Sequence, residues 1–133
     1  MTYLLDTSVC VAALRAREPV MRRLAQVGPG AVAVSAMTVA ELRYGVLKSR
    51  DPGATGAEVK RFLGPLEMLP FDEAAAGPHA RVRWALEAAG QPIGERDLVI
   101  AATALAHGLT VATGNTREFG RVAGLSVEDW TRE

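Results

Sequence analysis

Three acidic residues stand where the chain changes character. Asp6 closes the apolar run Tyr3-Leu4-Leu5 and precedes Thr7-Ser8. Glu41 lies in Thr38-Val39-Ala40-Glu41-Leu42-Arg43-Tyr44-Gly45, and Asp97 in Ile93-Gly94-Glu95-Arg96-Asp97-Leu98-Val99-Ile100. Each has an ordinary structural explanation. Asp6, Thr7 and Ser8 are all favoured helix N-caps. Thr38 and Glu41 have the spacing of a capping box, and an acid in a first helical turn, as at Asp97, is favoured by the helix dipole. Their joint placement adds a second meaning, because each follows an element that delivers it to one edge of one sheet. Carboxylates that converge raise one another's pKa unless a cation lies among them. All-oxygen ligands suit Mg2+ or Mn2+, whereas zinc wants His or Cys, and the chain offers only His79, His107 and Cys10. A hard ion held this way keeps waters, one of which can attack a phosphodiester in line. The chemistry implied is metal-dependent phosphodiester hydrolysis.

Positioning those acids requires a parallel sheet, and the pattern of apolar runs predicts one. Short runs at Tyr3-Leu4-Leu5, Ala31–Val34, Met68–Phe71, Leu109–Ala112 and Leu125–Val127 alternate with helical stretches. That alternation predicts an α/β fold, a single domain over residues 1–133 with a mainly parallel central sheet flanked by helices. Helices are expected from Val9 to Arg15, from Pro19 to about Val27, along the stripe Val39, Leu42, Val46, from Ala57 to Leu66, through Val82, Leu86 and Ala89 to Gly90, and through Leu98 and Leu105 to Gly108. In such sheets the strand C-termini form the ligand crevice.

Composition sets the outer bounds. The 133 residues are 49% hydrophobic and 23% charged, the range of an ordinary globular domain. One cysteine excludes an internal disulfide and fits a reducing cytoplasm. No apolar run approaches the ~18 residues of a spanning helix, and the first residues lack a signal-peptide layout, so no membrane partner is expected. Fifteen basic against fifteen acidic residues give a net charge of +0, which on its face argues against nucleic acid. Local potential, not the total, steers a polyanion to a cleft.

The blocks around Asp6, Glu41 and Asp97, followed by Thr113-Gly114-Asn115-Thr116-Arg117-Glu118-Phe119 and Val127-Glu128-Asp129-Trp130, resemble in order and spacing the PIN-domain ribonucleases, most closely the VapC toxins of bacterial toxin–antitoxin pairs. The resemblance covers essentially the whole chain. It implies a PIN fold, Mg2+ or Mn2+ as cofactor, endonucleolytic cleavage of RNA, a homodimer, and a VapB-type antitoxin whose tail fills the active-site groove. It also implies that Asp6, Glu41 and Asp97 are the three core acids, with Asp6 and Asp97 as metal ligands. Many PIN domains carry Asp where this chain has Asn115, an uncharged ligand. The resemblance leaves Glu118 or Asn115 to complete the site, while Thr7 and Thr113 are expected to support the acids or contact substrate, Thr113 by bonding Asp6 or a metal-bound water. With Asp6, Glu41, Asp97 and Glu118 gathered into one pocket, eleven acids would remain against fifteen bases, a surplus of four elsewhere. Turn formation with Gly114 is the plain structural explanation for Thr113 and Asn115. Two other functions fit the resemblance, a stand-alone PIN nuclease of RNA maturation and a non-catalytic PIN-fold binding module.

Other residues have simpler roles. Arg15, Arg17, Arg22, Arg23, Arg81 and Arg83 are expected on solvated helix faces, with phosphate contact as the alternative. His107 suits a helix C-terminus. His79 has no partner in the sequence, and Cys10 fits a small buried hydrophobe. Trp84, Trp130, Phe71 and Phe119 are expected in the core or a dimer contact, and Glu95 at an exposed position.

Overall fold

A computed structural model describes residues 1–132. Five strands form one sheet: β1 (Tyr3–Leu5), β2 (Val32–Ser35), β3 (Glu67–Leu69), β4 (Thr110–Thr113) and β5 (Val127–Asp129). Their order is β3-β2-β1-β4-β5, and every neighbouring pair is parallel. The sheet is thus wholly parallel where the sequence suggested mainly so. Between the strands run α1 (Thr7–Leu14), α2 (Glu18–Val27), α3 (Ala36–Leu47), α4 (Pro52–Leu63), α5 (Glu73–Ala88), α6 (Glu95–His107) and the single turn α7 (Thr116–Phe119).

The sheet is covered on both faces, which is why β2 is buried at every position and reads as a continuous apolar run. Successive strand residues point to opposite faces, so Leu5 joins Val9, Val34, Val39 and Trp130 on one side. Leu4 joins Ala33, Ile100, Val111 and Phe119 on the other. Register sets the functional edge: Leu5 pairs with Val34 and Ala112, so Asp6, Ser35 and Thr113 come level at the C-terminal ends of β1, β2 and β4.

Several boundaries differ from the sequence reading, each for a local reason. Helix α3 starts at Ala36 because Ser35, not Thr38, is its cap, its hydroxyl accepting from the Thr38 N–H at 3.1 Å. Asp51 caps α4 through the Ala54 N–H at 3.1 Å, which moves that helix forward to Pro52, a position where proline loses no hydrogen bond. Helix α5 begins at Glu73 and runs through Pro78, ahead of the apolar stripe that revealed its second half. Gly108 ends α6 in the left-handed conformation, φ 64°.

Candidate active site

Asp6 stands between β1 and α1, and its carboxylate is buried, 3% exposed. Its Oδ1 accepts from the Val9 N–H at 2.9 Å, the N-cap bond of α1, and from the Ser8 hydroxyl at 2.6 Å. Its Oδ2 accepts from the Thr113 hydroxyl at the end of β4. Burial pushes the Asp6 carboxyl above its ordinary range, and the bonds from Ser8, Thr113 and the Val9 and Ser8 backbone oppose that rise. The capping reading and the site reading are therefore both true of this residue: one oxygen caps the helix and the other faces β4.

Glu41 is released from capping because Ser35 does that work. It lies in the second turn of α3, where its Oε1 accepts from the Thr7 hydroxyl at 2.6 Å and its Oε2 lies 3.5 Å from Arg96 Nη1. Asp97 is the third residue of α6, whose N-cap Gly94 makes no side-chain cap bond. Its Oδ2 accepts from the Asn115 side-chain amide at 3.0 Å. The same amide donates to Glu118 Oε2 at 2.9 Å, so Asn115 bridges two carboxylates and also caps α7. The Gly94 N–H holds Glu118 Oε1 at 2.9 Å. The donors from Asn115 and Gly94 keep Glu118 below its usual pKa.

Asp97 records the charge density of the pocket. Partial burial, then the charges of Glu118, Asp6 and Glu41, push its carboxyl up to about 6, with only the Asn115 bond acting against them. All four acids thus share one field. Among the described residues no three of His, Cys, Asp and Glu are grouped to hold a metal ion outright. Asn115 stands between Asp97 and Glu118, and Glu41 is turned to Thr7 and Arg96. The donor set nonetheless fits a hard divalent cation, because it is all oxygen and its repulsion is what such a charge relieves.

Thr7, Thr113 and Asn115 all lie in this network, as expected of them. Sequence reading passed over Ser8, which donates to Asp6 and accepts the Gly114 N–H at 3.0 Å, tying β1 to the turn after β4. The only signal for it was its place in a run of N-cap residue types. A Cβ on Gly114 would stand 2.9 Å from Thr131 Cγ2, so a side chain there would have to displace that threonine. Glu95 is exposed and pairs with His79 at 3.0 Å, which gives that histidine the partner the sequence did not show. Cys10 is fully buried, and burial together with the Asp6 charge holds its thiol protonated. Trp130 and Phe119 are core residues, whereas Trp84 is 75% exposed and belongs to no core.

A parallel sheet whose C-terminal edge gathers four acids defines the class: the chain belongs to the PIN-domain family, which it matches over residues 3–125. Within that class it is similar to the VapC ribonucleases. It is 35% identical over 131 residues to the tRNA(fMet)-specific endonuclease VapC of Shigella flexneri, covering 98% of this chain and 99% of that protein. A chain of the DNA-bound VapBC structure from Salmonella typhimurium superposes with a TM-score of 0.92 at 35% identity, covering 98% of both chains. The FitAcB structure from Neisseria gonorrhoeae gives 0.89 at 35% identity, covering 99% of this chain and 100% of that one. The family and fold expected from the sequence blocks are both borne out.

Proposed function

We propose that this protein is the endoribonuclease toxin of a VapBC-type pair, hydrolysing RNA at the pocket of Asp6, Glu41, Asp97 and Glu118 with Mg2+, or Mn2+ in its place. What supports the proposal is the arrival of these acids from four elements, near enough that the charges of Glu118, Asp6 and Glu41 add to partial burial in raising the Asp97 carboxyl. Asp6 and Asp97 are the ligands, and the ion when bound supplies charge neutralisation and an activated water. The rest belongs to the chain. Thr113 and Ser8 fix the Asp6 carboxylate from both oxygens, so it cannot rotate away from the pocket. Asn115 spaces Asp97 from Glu118, and as a neutral amide it lowers the negative charge beside a polyanionic substrate. Glu41, held by Thr7, is the acid left to accept a proton at the pocket's other wall.

The antitoxin partner has a surface to occupy. A trough of about 610 Å3 between α3 and α4 is lined by Val46, Leu47, Val59 and Leu63, with Leu47 76% exposed. Through Val46 and Val59 it continues into a cavity lined by Thr7, Val11 and Glu41. An apolar segment seated there is led to Glu41, so one partner can block that side of the site by occupying the trough. Trp84 on α5 is the exposed anchor for a homodimer. No helix among the described residues is long and apolar enough to cross a membrane, and the reading places the protein in the cytoplasm, where its RNA is.

Incubating purified protein with total RNA tests the proposal. Cleavage is expected with Mg2+ or Mn2+, none with a chelator, and none from Asp6→Asn while its circular-dichroism spectrum remains that of the folded wild type. Cleavage retained by Asp6→Asn refutes the assignment, and partner binding without Mn2+ binding identifies a non-catalytic PIN module.

A further inference from the structure

The chain beyond β5 returns to the turn that supports Asp6. Strands β4 and β5 pair as far as Thr113 and Asp129, and the Trp130 N–H then bonds the Thr113 carbonyl at 3.2 Å. Trp130 is buried, which fixes the chain at that point. The next residue is held by Asp129, whose Oδ1 accepts both the Thr131 N–H at 2.8 Å and the Thr131 hydroxyl at 2.6 Å. A turn of this kind commonly does no more than end a strand. Here it also aims a side chain at Gly114. That glycine does not adopt a positive φ, so its backbone does not call for glycine; the space a Cβ would take is occupied by Thr131, with Cγ2 at 2.9 Å and Oγ1 at 3.3 Å from the Cβ position. Ser8 Oγ lies 3.5 Å from the same point. Thr131 therefore packs on the turn where the Gly114 N–H meets Ser8, a bond that is otherwise exposed to solvent.

We infer that Asp129 is a positioning residue for Asp6: by fixing Thr131 against Gly114 it holds the turn after β4, and that turn keeps the Ser8 and Thr113 hydroxyls on the two oxygens of the Asp6 carboxylate. The inference rests on the metal-dependent nuclease reading and adds to it a support that touches neither ion nor substrate. A hydroxyl rotates about one bond and can donate elsewhere unless its oxygen is held. Both are held by neighbouring backbone groups of one turn, Ser8 by the Gly114 N–H at 3.0 Å and Thr113 by the Asn115 N–H at 2.7 Å. A shift of the turn thus releases both donors together. A ligand carboxylate that must be reoriented before it takes an ion binds that ion more weakly. The charge of Asp129 is secondary, because its ion partner Arg132, 3.3 Å from Oδ2, has a side chain 84% exposed.

Calorimetric titration with Mn2+ and amide hydrogen exchange, both on the full chain, test the inference. Asp129→Ala removes the acceptor that aims Thr131, and Thr131→Ala removes the side chain that covers Gly114; Thr131 is exposed, so its truncation leaves the core intact. Each variant should weaken Mn2+ binding by about 5-fold or more, short of the upper part of the ~10- to 100-fold range for loss of a ligand's direct partner. Each should also speed exchange of the Gly114 N–H by about 10-fold or more. Asp129→Asn, which keeps the accepting oxygen without the charge, should restore both, and Arg132→Ala should change neither. Asp51→Ala controls for stability alone: it removes the α4 cap bond to the Ala54 N–H and lowers the melting temperature, yet should leave Mn2+ affinity at the parent's value. Affinity within about two-fold of the parent in both Asp129→Ala and Thr131→Ala, whatever the exchange rate, overturns the inference and leaves the nuclease reading standing. An equal loss of affinity in Asp51→Ala makes the effect one of stability, and a loss that Asp129→Asn does not restore makes it one of charge; either overturns the inference. A parent that neither binds Mn2+ nor cleaves RNA removes both readings.

Discussion

Replacing Thr113 by valine probes the junction on which the pocket depends. The Thr113 side chain is fully buried; its hydroxyl donates to Asp6 Oδ2 and accepts the Asn115 N–H at 2.7 Å. Valine has nearly the size of threonine but can make neither bond, so the loss is chiefly that of the two hydrogen bonds. A buried polar group left without its partner costs about 1–3 kcal/mol, with the upper part of that range applying to the charged Asp6 and the lower to Asn115, which water can reach. The expected loss is about 2–4 kcal/mol at neutral pH, read as a shift in urea midpoint at constant slope in metal-free buffer. The sign of its pH dependence follows from linkage. The Thr113 bond favours ionised Asp6, so removing it raises further a folded-state pKa that burial has already raised. Unfolded wild-type and variant chains titrate alike. The stability difference therefore grows as pH rises from the wild-type to the variant folded pKa, and is smallest in acid. Thr113→Ser should recover most of the loss. A loss under about 0.5 kcal/mol at neutral pH, or one independent of pH, contradicts the assignment of Thr113 as the support of the Asp6 carboxylate.

Three further outcomes follow from the same geometry. Asn115→Asp turns two hydrogen bonds into repulsion of Asp97 and Glu118; metal-free stability should fall by on the order of 2 kcal/mol after solvent screening, and Mn2+ affinity by calorimetry should rise. Asp97 is an acid whose folded pKa, about 6, lies above its ordinary 3.8, so its ionisation opposes folding: metal-free stability should drop as pH rises through about 4 to 6. The gain in Tm from Mn2+ should accordingly be larger at about pH 7 than at about pH 5, because the ion binds the ionised form. Trp84→Glu should halve the mass seen by light scattering while the circular-dichroism spectrum stays that of the folded chain, whereas a wild-type monomer at micromolar concentration contradicts the dimer.

The fold was legible because the strands of a sheet covered on both faces are near-continuous apolar runs, and Val32 to Ser35 is buried at each position. Element ends were less so, since capping is a contest among neighbours. Thr38 and Glu41 match a capping box, yet Ser35 lies three residues upstream, where β2 ends, and takes the cap; Glu41 is left for the pocket as a result. Spacing also could not show which side chains meet across long separations. Asn115 departs from the usual acid and invites doubt about the site, but folded it donates to two carboxylates at once, a role visible only when α6 and α7 are brought together. Ser8 was missed for the same reason. Its partner lies in a turn more than 100 residues away.

The central claim is that these acids cut RNA. Sequencing RNA 5′ ends after induced expression of the wild-type chain and of Asp6→Asn tests it most directly. New ends at defined sites are expected with the wild type and none with the variant. The same ends from both proteins, or from neither, contradict a nuclease built on Asp6, Glu41, Asp97 and Glu118.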